Sequence, residues 1–117
     1  LKSFKLYCPM RITKGGHQEW QIVFIEGAVD SKTSSELRAF LDIEVSHEMP
    51  VALELSKVPF MSSAGLRTLL LLHQKTKNAG TQLALVGMVN EIIETMRITG
   101  FLQHFTLIDS VELLPST

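Results

Sequence analysis

The chain has 117 residues, of which 45% are apolar and 20% charged, with 11 basic against 12 acidic side chains. That length can bury roughly two thirds of the unfolded surface, so one domain spanning residues 1–117 needs no metal or disulfide staple. The charge balance leaves no basic stripe to neutralise a row of phosphates and no polybasic run for a membrane surface, which excludes the usual nucleic-acid and membrane-surface binders.

Phe4, Leu6, Cys8, Met10 and Ile12 alternate with more polar neighbours, the period of a half-buried strand. Pro9 cannot donate to a ladder, which puts that strand at an edge or a bulge. Cys8 is the only cysteine, so no intrachain disulfide can form, and the usage suits a reducing cytoplasm. Lys14-Gly15-Gly16-His17 has turn chemistry, with WQIVFI (residues 20–25) as the return strand of a hairpin. Thr33-Ser34-Ser35-Glu36 has capping-box spacing and predicts a helix from Thr33 carrying Leu37, Phe40 and Leu41 inward. His47-Glu48-Met49-Pro50 breaks the chain before VALEL (residues 51–55), short and apolar enough for an interior strand.

Leu66, Leu69, Leu70 and His73 mark one face of the next helix, and Leu71 and Leu72 widen it beyond a surface stripe. Asn78-Ala79-Gly80 ends it, and residues 83–86 form another strand. Asn90 is placed to cap a third helix with Ile92, Ile93 and Met96 inward and Gly100 at its end. Residues 105–108 read as a last strand and 109–114 as a frayed turn. A hairpin followed by alternating helices and strands predicts an α/β fold, a mixed, mainly parallel sheet of about five strands with three to four helices. No apolar run approaches the length of a membrane span, and no charged segment followed by an apolar one opens the sequence, so neither a membrane span nor a signal segment is expected.

Enzyme signatures are missing. Neither phosphate-binding glycine motif occurs, and Gly15-Gly16 falls in the hairpin rather than between a strand and a helix. His17, His47, His73 and His104 are scattered without metal-ligand spacing to one another or to Cys8. Ser62 and Ser63 lack the glycine that would precede them in a nucleophile elbow, and no activating base is evident. The expectation is a non-enzymatic protein without cofactor or metal.

What remains is the position of the two serines in VPFMSSAGLRTLLLL (residues 58–72). A strand, a short loop and a leucine-rich helix put their hydroxyls beside the free amides of a helix start. Two readings are open: an N-cap alone, or a phosphate acceptor whose added charge the helix dipole tolerates and Arg67, four residues after Ser63, could pair with.

These segments resemble a known family. VPFMSSAGLRTLL preceded by VALELSK is similar to the signature of the STAS domain, found in bacterial anti-sigma factor antagonists and in the cytoplasmic tails of sulfate transporters. IEGAVDSKTSSELRAFL resembles that family's Gly-x-x-Asp segment, with Gly27 and Asp30 at the matching places. The resemblance implies that Ser63 is the phosphorylated serine, with Ser62 a second candidate. Gly65 and Leu66 match its Gly-Leu, and Asp30 matches the acidic residue of the partner-facing loop. Ser62 stands where the antagonists usually carry aspartate, so this loop lacks that negative charge. The implied docking face combines Asp30, Ser31 and Thr33 with Phe60, Met61, Ser62, Ser63, Gly65 and Arg67, Phe60 and Met61 being equally able to tuck under the helix. The implied partners are an anti-sigma factor that is also a serine kinase, which brings the ATP, and a phosphoserine phosphatase. The implied alternative is a subunit docked on a membrane lipid or anion transporter without phosphate control.

Overall fold

Alternating and apolar runs at the predicted places produce the predicted order of elements. A computed structural model describes residues 10–46 and 48–115. In it β1 (Arg11–His17) and β2 (Trp20–Glu26) form a hairpin, followed by α1 (Thr33–Glu44), β3 (Val51–Lys57), α2 (Ser63–Asn78), β4 (Leu83–Val86), α3 (Asn90–Thr99) and β5 (Thr106–Ile108). Short 3-10 turns occupy Leu102–His104 and Val111–Leu113. The sheet runs β1-β2-β3-β4-β5, antiparallel at β1/β2 and parallel elsewhere. Each helix is thus the crossover between two neighbouring parallel strands, which is why the α/β alternation in the sequence translates directly into sheet order.

All three helices pack on one face. Leu37 and Leu41 of α1, Leu66, Leu69 and Leu72 of α2, and Ile92 and Met96 of α3 share a core with Val23, Leu53, Leu55 and Leu85 of the sheet. On the other face Trp20, Ile22, Ala52, Ala84 and Val86 form a smaller cluster closed by Leu114, and the Trp20 indole N–H donates to the Pro115 carbonyl at 2.8 Å. The final segment is therefore anchored, not frayed as expected. Every one of β4's four side chains is buried, the pattern of a strand covered on both faces.

Several local expectations shift. The hairpin turns at Gln18-Glu19 with Gln18 at φ 57°, and Lys14, Gly15, Gly16 and His17 belong to β1. Gly15 is there because a side chain would meet the Phe24 ring, 3.1 Å from an added Cβ, so the glycine makes room for a cross-strand aromatic. On α2 the buried stripe is Leu66, Leu69, Leu72 and Thr76, whereas Leu70, Leu71 and His73 are half-buried. Asn90 is the first residue of α3 and Val89 occupies the cap position, with no side-chain cap bond. Phe4, Leu6, Cys8 and Pro9 of the expected first strand, and His47 of the expected chain break, lie outside the described residues. No helix among the described residues is long and apolar enough to cross a membrane.

Candidate functional site

The serine loop is built by burial on one side and backbone pairing on the other. Leu66, Leu69 and Leu72 hold α2 against the sheet, each fully buried leucine contributing about 1.5–3 kcal/mol relative to exposure. The helix start is fixed by Ser62, the N-cap, whose hydroxyl accepts the Gly65 N–H at 3.3 Å while its carbonyl accepts the Leu66 N–H at 2.9 Å. Ser62 is half-buried and its hydroxyl is engaged; Ser63, the first helical residue, is exposed. Arg67, one turn along, is also exposed and pairs with no carboxylate among the described residues.

A second loop is laid beside the first. The Gly27 N–H donates to Lys57 O and the Val29 N–H to Phe60 O, each at 2.9 Å, and the Ser62 N–H donates to Val29 O at 2.8 Å, so Val29 and Met61 form a parallel bridge. Gly65 seals the joint. A Cβ there would sit 2.6 Å from Met61 Cγ, 2.9 Å from Val29 Cγ1 and 3.2 Å from the Val29 carbonyl oxygen, so only glycine lets α2 approach both loops. Asp30 and Ser62, the residues that follow the bridged pair, are thereby brought to the same end of the sheet.

Asp30 is itself a helix cap. Its Oδ1 accepts the Lys32 and Thr33 N–H groups at 2.9 Å, its carbonyl accepts the Ser34 N–H, and its own N–H donates to Thr33 Oγ1 at 2.8 Å. This reciprocal box lies three residues before the predicted one. Thr33 turns its hydroxyl back, donating to the Ala28 carbonyl at 2.9 Å, and so does not take the amide of Glu36. The expected box of Thr33 and Glu36 is corrected accordingly: Asp30 already satisfies the first amides, and Thr33 is buried.

The amide of Thr33, then its hydroxyl, then the amide of Lys32 hold the Asp30 carboxyl below its ordinary value of 3.8. A depressed carboxyl contributes stability that is complete above the unfolded value and is lost as pH falls through the folded one. Asp30→Asn is therefore expected to lower the melting temperature at neutral pH and to flatten its decline below pH 3.8. Thermal melts of both proteins from neutral to acid pH measure this, and parallel curves would show that the carboxylate charge plays no part.

Of the residues assigned to a docking face, Asp30, Ser31, Phe60, Ser62, Ser63 and Arg67 reach the surface at least partly, and Thr33, Met61 and Gly65 are buried beneath them. The loop pair splits: Phe60 is 53% exposed and Met61 6%. Alternation along the short bridged segment explains this, since Met61 points under α2 and its neighbours point out. No group of three or more His, Cys, Asp or Glu side chains suited to a metal occurs among the described residues.

A mixed five-stranded sheet with three helices on one face, and a serine at a helix start beside an acidic loop, define a small α/β domain. The chain belongs to the STAS domain family, which it matches over residues 11–114. It is 31% identical over 104 residues to a Bordetella bronchiseptica protein named as a candidate anti-sigma factor antagonist, BtrV, covering 88% of this chain and 90% of that one. Among solved structures, an anti-sigma factor antagonist from Mycobacterium paratuberculosis superposes with a TM-score of 0.72 at 22% identity, over 88% of each chain. The unphosphorylated form of the anti-sigma factor antagonist SpoIIAA does so at 0.71 and 13% identity, over 87% of this chain and 90% of the other. The murine anion transporter Slc26a9 contains the same fold, with a TM-score of 0.69 at 17% identity, over 84% of this chain and 17% of the transporter.

Proposed function

We propose that this chain is a non-enzymatic anti-sigma factor antagonist, working in the cytoplasm of a bacterium, whose docking is switched by phosphorylation of Ser63. The observation that carries the reading is the division of labour between adjacent serines: Ser62 caps α2, and Ser63 presents an exposed hydroxyl on the rim shared with the Asp30 loop. The name of the Bordetella relative supports the partner class.

In this scheme the unphosphorylated chain binds an anti-sigma factor that is also a serine kinase, and the sigma factor is released. The kinase supplies ATP; Ser63 Oγ attacks the terminal phosphorus, its proton passes to the kinase, and ADP leaves. A phosphatase returns the serine by transferring the phosphoryl group to water. The chain contributes no cofactor, only a surface and an acceptor.

The local electrostatics suit a reversible charge. A phosphoserine brings about 1.5–2 negative charges, which the N-terminal dipole of α2 and the guanidinium of Arg67 stabilise without disturbing the core. A partner packed on Phe60 and Ser63 must desolvate that charge, and the complex weakens. Ser62 replaces the acidic residue usual at that place, so the kinase meets a neutral neighbour beside the acceptor.

Incubation with ATP and the cognate anti-sigma kinase, followed by peptide mapping, tests the scheme. Phosphate is expected on Ser63 in the native chain and in Ser62→Ala, and is expected to vanish in Ser63→Ala. Absence of phosphate from both serines would remove the switch. The fold shared with the anion transporter gives a second reading, permanent docking of the same face on a lipid or anion transporter, and a neighbouring permease gene with no kinase or phosphatase gene would favour it.

A further inference from the structure

At the other end of α2 a group of basic side chains gathers around a cleft. His73 and Lys77 of α2, His104 of the 3-10 turn before β5, Thr81 and Gln82 of the turn before β4, and Thr106 of β5 line a cavity of about 230 Å³. That is several times the ~30 Å³ share of one water, enough for a four-oxygen anion. The His73 and His104 rings lie 6.1 Å apart, and Phe105 sits edge-on to His73 at 5.6 Å, which fixes that ring at the cavity wall.

The lining is basic, with no acidic side chain opposing it among the described residues. Lys75, the other lysine of the last turn, is turned away to Asp42 of α1 at 2.7 Å. The last carbonyls of α2 accept the amides of Ala79, Thr81 and Gly80, and Lys77 brings the one permanent positive charge of the lining to that helix end. The charged or titratable groups facing the cavity are His73 and Lys77 from α2 and His104 from the 3-10 turn; β4 and β5 contribute only uncharged lining residues. Burial first, then the charges of His104 and Lys77, lower the pKa of His73, so that ring offers a neutral N–H until an anion favours its protonation.

We propose that this cleft is a binding site for a doubly charged oxyanion, inorganic phosphate or a phosphomonoester, held by the Lys77 ammonium and the His73 and His104 imidazoles with the Thr81 and Thr106 hydroxyls. It lies roughly 20 Å from Ser63 along α2, at 1.5 Å per residue, and so stands independently of the switch serine.

The test is an NMR titration of the four histidine rings with inorganic phosphate, at constant ionic strength balanced with chloride. Saturable shifts are expected for His73 and His104 and not for His17. The midpoint of His73 is expected to rise by roughly one unit, equivalent to a tenfold preference of the anion for the protonated ring. Lys77→Ala, on the exposed rim, is expected to keep the native spectrum elsewhere and to lose the saturable shifts. A sulfate arm separates sources: equal response identifies a reader of doubly charged oxyanions, and response to phosphate alone a phosphate-specific site. Shifts that chloride reproduces, that fail to saturate, or that persist unchanged in Lys77→Ala would overturn the proposal.

Discussion

An aspartate at position 63 is expected to weaken binding to the cognate anti-sigma factor by ten- to a hundredfold, roughly 1.4–3 kcal/mol, while leaving the fold as stable as before or slightly more so. The two effects have opposite signs for a physical reason. Position 63 is the first residue of α2, where a negative side chain interacts favourably with the helix dipole by about 0.3–1 kcal/mol. In a complex the same charge must be stripped of water against a protein surface, and one carboxylate imposes a smaller penalty than the doubly charged phosphate it imitates. Ser63→Ala, which adds no charge, is expected to bind as the native chain does. Calorimetric titration against the partner together with a thermal melt reads both quantities. Equal affinity of Ser63→Asp and the native chain would place the hydroxyl outside the interface and favour permanent docking without phosphate control.

Gly65→Val is expected to destabilise the fold by about 3 kcal/mol, the upper part of the range for overpacking a filled core. Even the first carbon of the new side chain lands 2.6 Å from Met61 Cγ and 2.9 Å from Val29 Cγ1, and the Val29 carbonyl behind them is backbone that cannot rotate away. The strain falls on the joint that holds the two loops together, so the bridge between Val29 and Met61 opens and Ser62 loses the acceptor for its amide. Gly65→Ala is expected to cost less, because the flexible Met61 side chain can yield and alanine favours the helix by about 1 kcal/mol over glycine. Urea unfolding of both variants gives the difference, and amide exchange at Ser62 and Val29 shows whether the loss is local to the joint. Native stability in Gly65→Val would mean that α2 can withdraw from the loops at little cost.

The element order was legible because each crossover in the chain carries its own signal: alternation or an apolar run for a strand, heptad-like spacing for a helix, and a break between them. The serine helix start was legible for the same reason, since Ser62 precedes a leucine run at cap spacing. The start of α1 at Thr33 was legible too, but its capping was not, because two segments of the same spacing overlap. Asp30-x-x-Thr33 and Thr33-x-x-Glu36 both have the spacing, and the choice falls to the Ala28 carbonyl, which draws the Thr33 hydroxyl backward and is visible only once the loop is folded. The hairpin turn was misplaced because paired glycines are turn formers in general, whereas here Gly15 answers the Phe24 ring on the opposite strand. Phe60 and Met61 are equally apolar, and only the bridge to Val29 decides which one is buried. His73 of α2 and His104 of the 3-10 turn come within 6.1 Å of each other, a proximity that no local spacing encodes.

The stacked loops at residues 27–31 and 58–63 carry their anchors inward, Val29 and Met61 under α2, and exposed side chains outward at Ser31, Phe60 and Ser63. Such a layout lets recognition drift while architecture stays put. Exchanging one of these outward side chains therefore alters what the rim offers a neighbour without disturbing the buried joint beneath it.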